Sequence, residues 1–208
     1  MRLSASLVTL SMVACGPQDS LLTNDTDTDT AVQEDGLDEY QVTVVTTLGE
    51  FTLQLDWENA PITVDNFMAY ASSGFFDGDD GLGATTFHRI IDNFMIQGGG
   101  YTADGVKKQT LDPIINEGDN GLSNLRGTIA MARTSDPESA TSQFYINHVD
   151  NTYLDYGGPS APGYAVFGSV IAGLDVVDII ATVATNANDE PTEQPIVIED
   201  LVTWLDQP

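Results

Sequence analysis

Residues 87–100 read Phe-His-Arg-Ile-Ile-Asp-Asn-Phe-Met-Ile-Gln-Gly-Gly-Gly, and this run constrains the fold more than any other. Two short β-rich stretches flank Asp92-Asn93, residue types that tolerate turn conformations and bond their own backbone. The spacing predicts a hairpin. In strict alternation Phe87, Arg89 and Ile91 share one face, opposite His88 and Ile90; Met95 and Gln97 share a face opposite Phe94 and Ile96. A cation and an amide therefore sit on strands that otherwise read as buried. An unpartnered buried charge is expensive, so Arg89 needs an acceptor or a task.

The chain of 208 residues allows one domain of moderate size plus appendages. Its 32 acidic residues against 6 basic ones give a net charge of −26. A surface of that sign repels phosphate backbones and anionic lipid, which argues against nucleic acid as a partner.

Residues 1–15 read as an export signal: Arg2 supplies a positive start, and the apolar segment 3–14 is too short to span a bilayer. It ends in Met12-Val13-Ala14-Cys15, which resembles the lipobox of bacterial lipoproteins, although Met12 stands where that motif usually has Leu. Cys15 is the sole cysteine, so no intrachain disulfide forms, and the resemblance implies lipidation there. Acyl chains on Cys15 would anchor an exported protein facing the periplasm or cell exterior. A plain secretory signal with a chance Cys is the alternative. Residues 16–39 carry eight acidic and no basic residues, including an Asp-Thr repeat. This composition predicts a disordered tether reaching roughly 25–30 Å.

The folded domain is expected over 40–206. Residues 41–47 and 51–56 alternate about a Gly49 turn, predicting a hairpin. Pro61 sits at a helix start, Ile62, Phe67, Tyr70 and Ala71 recur at helical spacing, and Gly74 marks the stop. The Gly- and Asp-rich loop 77–83 reads as flexible or cation-binding. Residues 101–125 lack periodicity. Strands are predicted at 127–133, 142–147, 164–168 and 196–204, with a second helix over 173–182. The two histidines, His88 and His148, lack cysteine or paired carboxylates at ligand spacing, so no metal or other cofactor is expected. His88 reads as a packed histidine bonding its neighbours.

The run His-Arg-Ile-Ile followed by Phe-Met-x-Gln-Gly-Gly resembles the signature of the cyclophilins, the prolyl isomerases. Residues 127–133, 142–147, 151–155 and 164–168 resemble further motifs of that family in the same order, and the likeness spans roughly residues 40–205. The insert 156–163 is similar to that of bacterial exported members. The resemblance implies a closed eight-stranded antiparallel β-barrel with two helices at its ends, acting as a monomer on proline-containing polypeptides.

It also implies roles. Arg89 donates to the prolyl nitrogen; Gln97 donates to the substrate backbone and helps place Arg89. Phe94, Met95, Tyr145 and Leu154 wall a pocket for the proline ring. The backbone of Ala132 and Arg133 grips the preceding residue, Gln143 lines a neighbouring groove, and Tyr153 and Tyr164 stand at its rim. Four positions depart from common family members: Tyr145 replaces Phe, and its hydroxyl requires a partner; Arg133 replaces Asn; Tyr153 replaces Trp; Tyr164 replaces His. Read individually, Phe94, Met95 and Leu154 fit plain core first.

The chemistry needs no metal and no nucleophile. Amide resonance sets a barrier of about 18–20 kcal/mol to rotation, and a site fitting the twisted amide better than either planar form lowers it. Twisting returns the lone pair to nitrogen, where a guanidinium can bond it; Arg suits this because it is always charged and rigidly forked. The alternative is a non-catalytic module that binds proline-containing partners or acts as a holdase.

Overall fold

The structure is a computed structural model that describes residues 40–203. The expected signal segment 1–15 with Cys15, the tether 16–39 and residues 204–206 lie outside the described residues. Eight strands form one antiparallel sheet in the order β3-β4-β6-β5-β7-β2-β1-β8. They are β1 Gln41–Thr46, β2 Gly49–Leu55, β3 Thr85–Ile91, β4 Met95–Thr102, β5 Thr128–Met131, β6 Phe144–Asn147, β7 Val166–Ala172 and β8 Ile198–Thr203. The two ends of the order meet through a bridge between Thr86 and Val197 and a bond from the Phe87 N–H to the Ile196 carbonyl at 2.9 Å. A sheet joined in this way leaves little edge to pair with another chain.

Alternation sends Val42, Val44, Phe51, Leu53, Phe87, Ile96, Ile129, Phe144 and Ile146 into the barrel, all at or near zero exposure. Aromatic edges interlock there: Phe144 meets Phe67, Phe76 and Phe87 at 5.5–5.9 Å in edge-on geometry, the orientation that ring quadrupoles favour. Two helices pack on this core, α1 Pro61–Ser72 and α2 Leu174–Ala181.

Strict alternation fails in β3. Phe87 pairs with Gly98 and Arg89 with Gln97, so two residues on β3 oppose one on β4. This bulge turns Phe87 and Ile90 both inward and leaves Arg89 half-exposed on the outer face. The expected sharing of one face by Phe87 and Arg89 is thereby corrected. The turn is as read: Phe94 N–H bonds the Ile91 carbonyl, and Asn93 takes a φ of 57°.

Other boundaries shift for identifiable reasons. In α1 Ile62 is exposed, and Thr63, Val64 and Asn66 join Phe67 and Tyr70 as the buried face. The first turn of α1 takes its acceptor from the aperiodic segment: Glu117 accepts from the Ile62 and Thr63 N–H groups at 3.1 and 2.7 Å, satisfying donors that a helix start leaves free. Tyr164 precedes β7, because its N–H bonds the Leu154 carbonyl instead of a strand.

Loop 77–83 contains an internal cation. Lys108 Nζ, with a side chain 2% exposed, pairs with Asp80 at 2.8 Å and donates to the Phe75 and Gly83 carbonyls at 2.7 and 2.8 Å. It also stands 4.6 Å from the Phe75 ring centroid. The loop does gather a cation, and it is an ammonium of the chain itself.

Candidate active site

An outward sheet face is ordinarily polar. On β4, β5 and β6 the outward residues Met95, Ala130 and Tyr145 are instead buried, forming with Leu154 and Val166 a second apolar cluster apart from the barrel core. Phe94, Ala132 and Tyr164 pack against it. A notch of about 120 Å³ opens on this cluster, lined by Arg89, Phe94, Met95, Gln97, Ala132, Arg133, Tyr145, Leu154 and Tyr164. Two further residues singled out in the sequence lie beside it. Gln143 lines an adjoining groove of about 720 Å³ that shares Arg89 and Gln97 with the notch. Tyr153 stacks on Phe94 at the rim, 6.2 Å between centroids.

The floor rests on a polar network. The Tyr145 hydroxyl donates to Asn124 Oδ1 at 2.7 Å, and burial pushes its pKa well above the ordinary tyrosine value, which keeps it a donor. Asn124 donates from its side chain to Asp155 Oδ1 at 2.9 Å and from its backbone at 2.8 Å. Burial raises the Asp155 carboxyl, but hydrogen bonds from Ser123 and Asn124 outweigh it and the net shift is downward. Asn147 donates to Asn124 Oδ1 at 3.2 Å. Asn151 donates to Asn147 Oδ1 and to the Phe94 carbonyl, both at 2.8 Å. One chain of amides thus fixes Tyr145, Phe94 and the segment carrying Leu154.

The polar wall is built from Arg89. Its Nη1 donates to Gln97 Oε1 at 3.4 Å, and Gln97 Nε2 donates to Gln143 Oε1 at 2.9 Å. Gly100 makes room for this: a Cβ there would lie 2.5 Å from Gln143 Cγ. Arg89 Nε faces Asp189 Oδ2 at 3.4 Å. The Arg133 side chain is occupied elsewhere, with Nε and Nη2 donating to the Gly163 carbonyl at 3.2 and 2.8 Å and the guanidinium 4.2 Å over the Tyr164 ring. The Ala132 N–H bonds the Gln143 carbonyl at 2.9 Å, so what Ala132 can offer a ligand is its carbonyl.

His88 packs on Tyr101, 4.7 Å between centroids, yet its Nδ1 is buried without a hydrogen-bond partner; the expected bonding to neighbours is corrected at that atom. Burial, joined by the nearby Arg89 charge, lowers its pKa against the opposing pull of Thr86, Gln143 and Glu190. Among the described residues no three His, Cys, Asp or Glu side chains stand together as metal ligands. The sequence reading passed over Asn124, Asn151, Asp155 and Asp189 as site residues. None belongs to a periodic stretch, and each matters through a partner far along the chain: Asn124 through Tyr145, Asn151 through the Phe94 carbonyl, Asp155 through Asn124, and Asp189 through Arg89.

The family model for the cyclophilin type peptidyl-prolyl cis-trans isomerases matches residues 41–203. The chain belongs to the cyclophilin family. It is 49% identical over 162 residues to peptidyl-prolyl cis-trans isomerase A of Dickeya dadantii, covering 76% of this chain and 81% of that one. It is 52% identical over 160 residues to a peptidyl-prolyl cis-trans isomerase of Streptomyces antibioticus, covering 74% and 92%. Among solved structures it is similar to a cyclophilin type isomerase of Cryptosporidium parvum, crystallised in the presence of the dipeptide Ala-Pro. That pair has a TM-score of 0.60 and 26% identity over 78% of this chain and 98% of the other. The eight-stranded barrel is thus a cyclophilin barrel, and the notch lies on its outer face.

Proposed function

We propose that this cyclophilin, a peptidyl-prolyl cis-trans isomerase, accelerates rotation about X-Pro bonds in exported polypeptides. In this reading it works as a monomer tethered through Cys15 on the outer side of a membrane. The observation that carries the catalytic part is the meeting of a half-exposed guanidinium with a small apolar notch. Phe94, Met95, Tyr145 and Leu154 hold the proline ring. The Ala132 carbonyl and the Arg133 backbone hold the preceding residue while the amide turns. Arg89 donates to the prolyl nitrogen as its lone pair returns, and Gln97 keeps the guanidinium against the notch. Because that hydrogen bond exists only near the twisted geometry, it stabilises the transition state over both ground states.

In a prolyl-peptide assay coupled to an isomer-specific protease, Arg89→Ala is expected to lower kcat/KM about a hundredfold, the scale of one lost transition-state donor. Equal rates in variant and wild type would leave the non-catalytic binding module as the better reading. The tether rests on sequence alone: the short apolar segment 3–14, the lipobox-like Met12-Val13-Ala14-Cys15 and the acidic run after it. Cys15→Ser is expected to move the protein from the membrane to the soluble fraction after cell fractionation. Unchanged membrane retention would remove the anchor from the account.

A further inference from the structure

Loop 185–191, between α2 and β8, is a small self-bonded hairpin with Asp189 near its tip. Thr185 bridges Pro191, the Asn186 N–H bonds the Glu190 carbonyl at 2.9 Å, and the Asp189 N–H bonds the Asn186 carbonyl at 3.0 Å. Asp189 is one of two non-glycine residues at positive φ among the described residues, at 65°; the other is Asn93. A side chain in that region costs about 1 kcal/mol or more relative to glycine, Asp and Asn tolerating it best.

Both ends of Asp189 point at one place. Its carbonyl accepts the Ile90 N–H at 2.7 Å, and its carboxylate faces Nε of Arg89, the residue before. The two side chains are 43% and 39% exposed, and a pair so solvated adds at most about 1 kcal/mol to stability. Stability therefore does not explain a strained Asp where Gly would fit. Position does. The planar guanidinium has three nitrogens: Nε faces Asp189, Nη1 faces Gln97, and Nη2 makes no hydrogen bond among the described residues. Contacts at two nitrogens on different sides restrict the swing of the plane, and the third nitrogen is left to the notch.

We propose that Asp189 is a positioning residue for Arg89, fixing the guanidinium so that its unbonded nitrogen meets the twisted prolyl amide. This rests on the reading of Arg89 given above. Asp189 touches no substrate; it shortens the search of a flexible three-methylene cationic arm for one orientation, so its removal affects kcat and leaves KM unchanged.

The test compares wild type with Asp189→Gly and Asp189→Asn, which both suit a positive φ, in the protease-coupled assay at a temperature where all three are folded. Asp189→Gly is expected to lower kcat between about three- and tenfold, the kinetic equivalent of an exposed ion pair, at constant KM. Asp189→Asn is expected to fall between it and wild type. The melting temperature of Asp189→Gly stays level or rises, because the strain is relieved. Raising NaCl is expected to slow wild type toward the Gly variant while leaving that variant unchanged. A wild-type kcat in Asp189→Gly, or a loss expressed in KM alone, overturns the proposal. Arg89→Ala, run alongside, separates the two readings: if it too is unimpaired, the role of Arg89 fails first; if it alone is impaired, only Asp189 does.

Discussion

At the scale of single residues, the site is made of ordinary side chains in unusual company. Tyr145 shows this: where a phenyl ring would suffice as a floor, its hydroxyl is absorbed by Asn124, and the asparagine in turn by Asp155. His88 is the opposite case, a buried imidazole whose Nδ1 finds no acceptor or donor. Burial lowers its pKa, so the folded protein binds its proton less readily than the unfolded chain. The sign follows from linkage: stability is fully present above the unfolded value of about 6.5 and falls as pH drops toward the folded one. In thermal melts between pH 8 and pH 5, His88→Gln is expected to lose less stability than wild type. Parallel curves would show that the imidazole contributes no acid sensitivity.

At the scale of elements, tertiary partners decide what local pattern leaves open. The hairpin β3–β4 is evident from its residues, but the bulge that frees Arg89 from the core is not, because it depends on which register β4 accepts. Loop 77–83 reads as flexible or cation-binding from its Gly and Asp content; in the fold it closes around Lys108. Lys108 is buried and Asp80 only partly so; Lys108→Met takes the donor from Asp80 and from the Phe75 and Gly83 carbonyls together, so it is expected to cost about 1–3 kcal/mol. Urea unfolding checks this, and a loss below about 1 kcal/mol, the surface-pair scale, would show the ammonium to be replaceable. The same logic applies to α1, whose first turn borrows Glu117 from a segment without periodicity.

At the scale of the whole molecule, charge dominates. Of the few cations available, Lys108, Arg126, Arg133 and Arg89 are all engaged, with Asp80, Asp178, a backbone carbonyl and Asp189. With all six cations counted, 26 of the 32 acidic charges are still left over. Salt weakens the exposed pairs, each worth about 0–1 kcal/mol, and also screens repulsion among many carboxylates over about 10 Å at 0.1 M. The second effect covers far more charges, so the melting temperature is expected to rise from low salt to 0.5 M NaCl. A fall would mean that the few ion pairs outweigh the net charge.

The sequence by itself determined the strands and helices, through period-2 and helical patterning and turn chemistry, all of which are local. The barrel and the residues that line the notch came from the sequence only through its resemblance to the cyclophilins, a run of residue types at fixed offsets. Only the tertiary structure decided which face Arg89 occupies, what holds the Tyr145 hydroxyl, what fills loop 77–83, and that Asp189 stands against the guanidinium. Each of those is a contact between segments far apart along the chain. Local spacing carries no record of such contacts, because the barrel that brings the segments together is itself the product of burying the core.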